Sequence, residues 1–250
     1  PRRRCRLRSH PKRWSCRADS DSCCIRSEEQ FSDSGFRGKF ISLRFIFRRR
    51  VIDSLAMSIR VIAGLGNPGK EYSLTRHNAG WMLLDAYAAK RGAVWKFEAK
   101  FNAEVATLEG VGGGKLYLIK PQTYMNLSGE SLGAFLHFYK ILPEGLLVIH
   151  DEVAFDAGSL KLSYAGSAGG HNGIGSIINA VGGEGFWRLR LGVGPRLLQW
   201  TLAEFVLSEL PQEARNGLKS EKILDILALI IDKGPKEAQN STNQNITKYG

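Results

Sequence analysis

Short apolar segments alternate with segments of helical periodicity between residues 58 and 234. Residues 59–65 form a continuous apolar run, which is typical of a buried strand, and residues 81–91 show helical spacing that ends at Gly92. Two further strand patterns flank the glycine-rich segment 109–114, which predicts a hairpin. Altogether the pattern predicts strands at 59–65, 103–108, 115–120, 146–150, 159–164 and 187–193, and helices at 81–91, 128–142, 174–181 and 211–232.

This alternation predicts the fold class α/β. We expect a single three-layer α/β/α domain over residues 58–234, built around a mixed, mostly parallel sheet. The polar residues 235–250 are expected to be a disordered tail. Ligands of such sheets bind at the carboxyl ends of the strands, so the loops near residues 66, 121 and 151 should bring together Asn67, His77, Asn126 and Asp151.

The glycines at 64, 66 and 69 match the spacing of a dinucleotide-binding fingerprint after a strand. That fingerprint requires its last glycine to open a helix that receives the pyrophosphate. Here Pro68 and further loop-like residues intervene before helical periodicity begins, and the acidic partner would be Asp85, inside the helix. The pattern therefore argues against an NAD-dependent oxidoreductase.

The net charge of +11 is unevenly distributed. Residues 1–57 carry 15 Lys or Arg against 6 Asp or Glu, whereas residues 58–250 carry 20 against 18. Any site for a polyanion on the domain must therefore be a local patch. All four cysteines also lie in this basic leader, at spacings that match no zinc pattern, and a cysteine-free domain fits a reducing compartment.

Three interpretations of the leader remain open: an organellar transit peptide, a basic RNA-binding arm, or non-native sequence upstream of a start at Met57. The six acidic residues weaken the first interpretation, because transit peptides are poor in acid. We favour a functional start at Met57. No apolar run approaches the roughly 18 residues of a membrane helix, so no membrane association is expected.

His77 and Asp151 could form a general-base pair in which the carboxylate orients the imidazole. The domain has no Gly-x-Ser-x-Gly elbow and no cysteine to act as a nucleophile, so such a base would activate water directly. Asn67, Asn126 and Asn172 could donate amide hydrogens to a developing oxyanion. Asn126 and Asn172 precede helix starts and could instead be N-cap residues, Asp151 could cap the next turn, and His77 could be a surface or helix-capping residue. Residue chemistry alone indicates a hydrolase of an activated acyl bond, such as an ester.

Several long motifs occur together and in a consistent order. They are Gly-Leu-Gly-Asn-Pro-Gly at 64–69 with Tyr72, Thr-Arg-His-Asn-Ala-Gly at 75–80, Lys-Pro-Gln-Thr-Tyr-Met-Asn-Leu-Ser-Gly at 120–129, His-Asp-Glu at 150–152 and Gly-Gly-His-Asn-Gly at 169–173. In these motifs the chain resembles the bacterial-type peptidyl-tRNA hydrolase family, over about residues 58–234.

The resemblance implies an enzyme that hydrolyses the ester between a peptide and the 3′-terminal ribose of its tRNA. His77 would be the general base, Asp151 would orient it, and Asn67 and Asn126 would hold the peptide and the scissile ester. Neither a metal nor an organic cofactor is implied. We expect a cytoplasmic monomer whose partner is peptidyl-tRNA; a mitochondrial or chloroplast location applies if the leader is a transit peptide.

The resemblance also suggests residues that bind the tRNA. Tyr72 and Met125 would line the position of the 3′-adenosine, and Asn172 would contact the tRNA terminus. Lys161, Arg188 and Arg190 are candidates for phosphate contacts. Arg188 and Arg190 lie two residues apart in the strand 187–193 and therefore share one face of it. One of the three basic residues could instead form a structural salt bridge.

Residues 195–200 depart from the family, since this turn is shorter and more apolar than usual, which puts tRNA contacts near Arg196 in doubt. Two alternatives stay open beside the hydrolase. A non-catalytic RNA-binding relative would lose the His–Asp pair, and a metal hydrolase using His77, Asp151 and His171 would lose activity in a chelator.

Overall fold

The computed structural model describes residues 58–196 and 199–244, so the expectations about the leader lie outside the described residues. The strands are β1 (Val61–Gly64), β2 (Lys96–Glu98), β3 (Ala103–Glu109), β4 (Lys115–Pro121), β5 (Leu146–Asp156), β6 (Leu160–Tyr164) and β7 (Trp187–Gly194). The α-helices are α1 (Ala79–Lys90), α2 (Ser128–Tyr139), α3 (Asn172–Val181), α4 (Leu202–Leu207), α5 (Gln212–Leu218), α6 (Glu221–Lys233) and α7 (Pro235–Gln244). No helix in the described ranges is long and apolar enough to cross a membrane.

All seven strands form one mixed sheet in the order β2-β3-β4-β1-β5-β7-β6. The central strands β4, β1, β5 and β7 are parallel, while β2, β3 and β6 add antiparallel pairs at the two edges. The mixed α/β fold expected from the sequence is therefore confirmed. Because β1 and β5 are parallel neighbours, their carboxyl ends lie side by side at the same end of the strands.

The strand residues alternate between two apolar layers, one on each face of the sheet. On β1, Ile62 packs with α1, α5 and α6, whereas Val61 and Ala63 pack with α2 and α3. On β5, Leu147 and Val148 divide in the same way. The continuous apolar runs thus follow from burial on both faces, as expected for central parallel strands.

The glycines of the first motif allow α1 to lie against β1. A Cβ on Gly64 would come within 2.7 Å of the Gly80 carbonyl oxygen, and a Cβ on Gly66 would meet the Trp81 ring at 2.8 Å. Between strand and helix run two short 3-10 turns, Lys70–Tyr72 and Arg76–Asn78. The spacing that resembles a dinucleotide fingerprint therefore reflects close packing of the backbone, with no helix opening at Gly69.

The structure corrects several boundaries. Residues 235–244, expected to be disordered, form α7, in which Ala238 and Thr242 are buried. The helix expected over 211–232 is broken at Lys219 and Ser220 into α5 and α6. The short elements β2 and α4 were not predicted, and β5 continues through Asp151 to Asp156, so Asp151 lies inside a strand.

The C-terminal helix covers the edge strand β6. Asn243 accepts a hydrogen bond from the Leu162 backbone N–H at 3.0 Å and donates one to the Leu162 carbonyl at 3.0 Å. Gln239 donates to the same carbonyl at 3.2 Å. Since an open strand edge is a template for unwanted pairing, α7 protects this edge by supplying amides in place of a further strand.

Candidate active site

A cleft of about 600 Å³ opens at the carboxyl ends of β1 and β5. Seven of the nine predicted site residues line it: Asn67, Tyr72, His77, Met125, Asn126, Asp151 and Asn172. They come from four separate segments of the chain that parallel strands bring to one edge. The two remaining candidates, Lys161 and Arg188, lie outside the cleft lining.

His77 and Asp151 form the central pair of the cleft. His77 lies in the 3-10 turn Arg76–Asn78, and its Nδ1 is 2.8 Å from Oδ1 of Asp151 on β5. The Asp151 side chain is 1% exposed and that of His77 10% exposed. Burial by itself would raise the pKa of Asp151, but His77 and His171 outweigh it and hold that pKa well below its usual range. The carboxylate is therefore ionised at neutral pH.

Two further histidines surround Asp151. His171 Nε2 is 3.0 Å from Asp151 Oδ1, and His171 Nδ1 accepts the backbone N–H of Ile174 at 3.3 Å. His150 is buried, and its Nδ1 donates to the Asp151 carbonyl oxygen at 2.8 Å. Burial lowers the pKa of His150 to about 3. His150 is thus a neutral member of the cluster at neutral pH.

His77, Asp151 and His171 also offer three potential metal-ligand atoms within 4.8 Å of one another. Because Nδ1 of His171 accepts the Ile174 N–H, the ring proton lies on Nε2, which donates to Asp151. Metal coordination at Nε2 would move that proton to Nδ1 and break the bond to Ile174. The tautomer therefore favours a hydrogen-bonded cluster over a metal centre.

Asn67 is oriented by two contacts at the end of β1. Its Oδ1 accepts the Met125 backbone N–H at 2.8 Å, so its Nδ2 remains as the donor for the cleft. Asn78 clamps the backbone of Asn67 from the other side: Asn78 Oδ1 accepts the Asn67 N–H at 2.9 Å, and Asn78 Nδ2 donates to the Asn67 carbonyl at 3.0 Å. One 3-10 turn thus positions both His77 and, through Asn78, the Asn67 amide.

Helix α4 forms an apolar wall of the cleft through Leu202, Val206 and Leu207. A capping box starts this helix, because Thr201 accepts the Glu204 N–H while Glu204 accepts the Thr201 N–H. The Thr-x-x-Glu spacing at 201–204 was the available sequence signal for this unpredicted helix. It follows the atypical turn, whose Arg196 donates to the Trp200 carbonyl at 3.0 Å.

The basic residues of β6 and β7 have different environments. Arg188 is 5% exposed, and its guanidinium donates to the carbonyls of Gly166 and Ser167. It is therefore unavailable to a phosphate in this structure, contrary to the expectation for it. Arg190 forms a salt bridge with Glu152 at 2.7 Å, which is the structural alternative named for this strand. Lys161 is exposed.

Sequence reasoning missed the contribution of Asn78, although it directly follows His77 in the Arg-His-Asn motif. Its two contacts are to a backbone 11 residues away, so no periodicity indicates them. It also missed the exposed Tyr124, which lines the cleft beside Met125.

Known proteins of one family are similar to this chain in sequence and in fold. A model of the peptidyl-tRNA hydrolase family matches residues 61–249. The peptidyl-tRNA hydrolase of Desulfitobacterium hafniense (strain Y51) is 45% identical over 178 residues, covering 71% of this chain and 90% of that protein. The peptidyl-tRNA hydrolase of Caldicellulosiruptor bescii is 40% identical over 188 residues, covering 74% and 97%. The crystal structure of the peptidyl-tRNA hydrolase from Acinetobacter baumannii is 35% identical with a TM-score of 0.70, covering 78% of this chain and 98% of that one. The chain therefore belongs to the bacterial-type peptidyl-tRNA hydrolase family.

Proposed function

We propose that this enzyme hydrolyses the ester bond between the peptide and the tRNA of peptidyl-tRNA, releasing both. The observation that carries the proposal is the His77–Asp151 pair, joined at 2.8 Å in a cleft that Asn67 also lines. Membership of the peptidyl-tRNA hydrolase family supports the choice of substrate.

His77 is the general base in this mechanism. Its Nδ1 proton is bonded to Asp151, which leaves Nε2 to take a proton from water as the oxygen attacks the ester carbonyl. The ionised carboxylate stabilises the imidazolium that forms, and the imidazolium then protonates the departing ribose oxygen. General-base catalysis of this kind contributes about 10²–10⁴-fold in rate. No covalent intermediate is expected.

Asn67 stabilises the negative charge that develops on the carbonyl oxygen. Its Oδ1 accepts the Met125 N–H, so its Nδ2 remains as the donor for the carbonyl oxygen of the substrate. A preorganised donor of this type lowers the barrier by about 3–4 kcal/mol, because it needs no reorientation as the charge appears.

The remaining residues place the substrate on either side of the ester. Asn126 contributes to binding of the peptide and the ester, while Tyr72 and Met125 contact the terminal adenosine and Asn172 contacts the tRNA end. All four line the same cleft, and Asn126 and Asn172 are exposed and so accessible to substrate. Lys161, exposed on β6, is the remaining candidate for a phosphate contact.

The proposal is tested by hydrolysis of an N-blocked aminoacyl-tRNA by the full chain, beside the same tRNA with a free amino group. We expect cleavage of the blocked substrate only, and a loss of at least about 100-fold in kcat for His77→Ala because the general base is removed. His137→Ala is the matched control, since His137 is exposed on α2 and does not line the cleft. It should leave kcat unchanged.

Three results would contradict the proposal. Activity that survives His77→Ala would place the base elsewhere, whereas tight binding of tRNA without any hydrolysis would favour a non-catalytic RNA-binding protein. Full activity after chelation is also expected, and its loss would favour a metal hydrolase.

We further propose that the enzyme acts as a monomer in the cytoplasm. The contact between His77 and Asp151 within one chain supports the monomer, because the proposed general-base pair does not need a second copy. Size-exclusion chromatography with light scattering tests this, and a stable dimer would contradict it.

A further inference from the structure

His171 connects two parts of the site through opposite nitrogens of one imidazole. We infer that His171 is a positioning residue that holds the Asp151 carboxylate in the orientation required by His77. This inference rests on the proposed role of His77 as general base.

The Asp151 carboxylate needs donors from the protein. With only 1% of its side chain exposed, water cannot satisfy it, and a single hydrogen bond would leave it free to rotate about that contact. Oδ1 instead accepts from His77 at 2.8 Å and from His171 at 3.0 Å. Two donors that converge on one oxygen define the direction of the carboxylate, and hence the direction in which His77 presents Nε2.

The His171 ring is itself held in place. It is the N-cap residue of α3, where its Nδ1 accepts from Ile174, so the ring cannot rotate without losing both hydrogen bonds. Arg188 donates to the carbonyls of Gly166 and Ser167, which anchors the start of the loop 165–171 that leads to His171. The next residue, Asn172, lines the substrate cleft. The segment that faces the substrate thus also orients the catalytic carboxylate.

The alternative is that His171 only caps α3. Two substitutions separate these roles, because the Asn amide reproduces the position of Nδ1 and the Gln amide that of Nε2. His171→Asn retains an acceptor for the Ile174 N–H, and Asn is a favoured N-cap, but it cannot reach Asp151. His171→Gln retains a donor to Asp151 and loses the cap.

The experiment measures kcat, KM and thermal unfolding for the full chain and both variants with N-blocked aminoacyl-tRNA. If His171 positions Asp151, His171→Asn lowers kcat by about 10–100-fold, as loss of such supporting bonds does elsewhere, with little change in KM or stability. His171→Gln restores most of that kcat despite a lower melting temperature. The same Asn and Gln substitutions at exposed His137 are matched controls and should leave kcat unchanged.

Two further measurements make the outcome decisive. His171→Asn should lower kcat no further in an Asp151→Ala background, because either change removes the hydrogen bond between His171 and the carboxylate. The NMR signal of the His77 Nδ1 proton should persist in His171→Gln and broaden or shift in His171→Asn, independently of activity. The inference is overturned if His171→Asn is as active as the parent, if His171→Gln is no more active than His171→Asn, or if the losses add in the Asp151→Ala background. If the parent protein does not hydrolyse N-blocked aminoacyl-tRNA, the proposed function is refuted. The NMR comparison of the two His171 variants then tests by itself whether His171 orients Asp151.

Discussion

The buried His150 should lower the free energy of unfolding of the protein as the pH falls from 7 to 5. Its ring is buried, Nδ1 donates to the Asp151 carbonyl oxygen, and Nε2 has no hydrogen-bond partner among the described residues. Protonating Nε2 would place a buried charge on an atom that has no partner, and the nearby Asp151 carboxylate does not offset this cost of burial. Folding therefore holds His150 neutral, with a pKa of about 3 against an ordinary 6.5.

The sign follows from proton binding in the two states. Below pH 6.5 the unfolded chain takes up a proton at His150 while the folded protein does not, so acid favours the unfolded state throughout the window down to about pH 3. At pH 5 this term lowers the free energy of unfolding by about 2 kcal/mol relative to pH 7. Asp151 adds nothing between pH 7 and 5, because its ordinary pKa of 3.8 lies below this range and folding lowers it further.

The matched variant is His150→Asn, whose amide retains the donor to the Asp151 carbonyl oxygen and removes the titration. Urea denaturation at several pH values should show a shallower loss of unfolding free energy for the variant, with a difference of about 2 kcal/mol between pH 7 and pH 5. The comparison uses the change with pH, so a constant packing loss in the variant does not affect it. Parallel pH dependences for the two proteins would refute the reasoning.

Further predictions concern the supporting residues. Asn78→Ala should lower kcat by releasing the Asn67 backbone, and a double-mutant cycle with Asn67→Ala should be strongly non-additive; additive losses would show that Asn78 acts elsewhere. Asn243→Ala should lower the free energy of unfolding by about 1–3 kcal/mol in urea denaturation, since it uncovers backbone groups of the edge strand, with kcat unchanged. Lys161→Ala should raise KM, because one phosphate contact is lost. It should also reduce the slope of log KM against the logarithm of the salt concentration by about 1. Arg188→Ala should instead lower the melting temperature without changing that slope, and the reverse pattern would restore Arg188 as a phosphate contact.

The pattern of apolar residues was sufficient for the main fold. Central parallel strands are buried on both faces and leave continuous apolar runs, so the strands at β1 and β5 and the helices packed on them could be recognised from local sequence. Weak local patterns failed where tertiary contacts decide the structure. The polar segment 235–244 is helical because it buries Ala238 and bonds to Leu162 of β6 through Gln239 and Asn243, contacts that its own composition does not reveal.

The candidate site divides in the same way. The sequence by itself identified the candidate catalytic residues His77, Asp151 and Asn67. Their motifs, and the lack of a Gly-x-Ser-x-Gly elbow or a cysteine in the domain, can be read directly from the chain. The pairing of His77 with Asp151, 74 residues away, was expected from the shared strand ends, whereas only the tertiary structure showed that His171 is a second donor to Asp151 and that Asn78 holds the Asn67 backbone. It also placed Arg188 in the interior. Periodicity records which face of an element is buried, whereas the choice of hydrogen-bond partner depends on how distant segments approach one another.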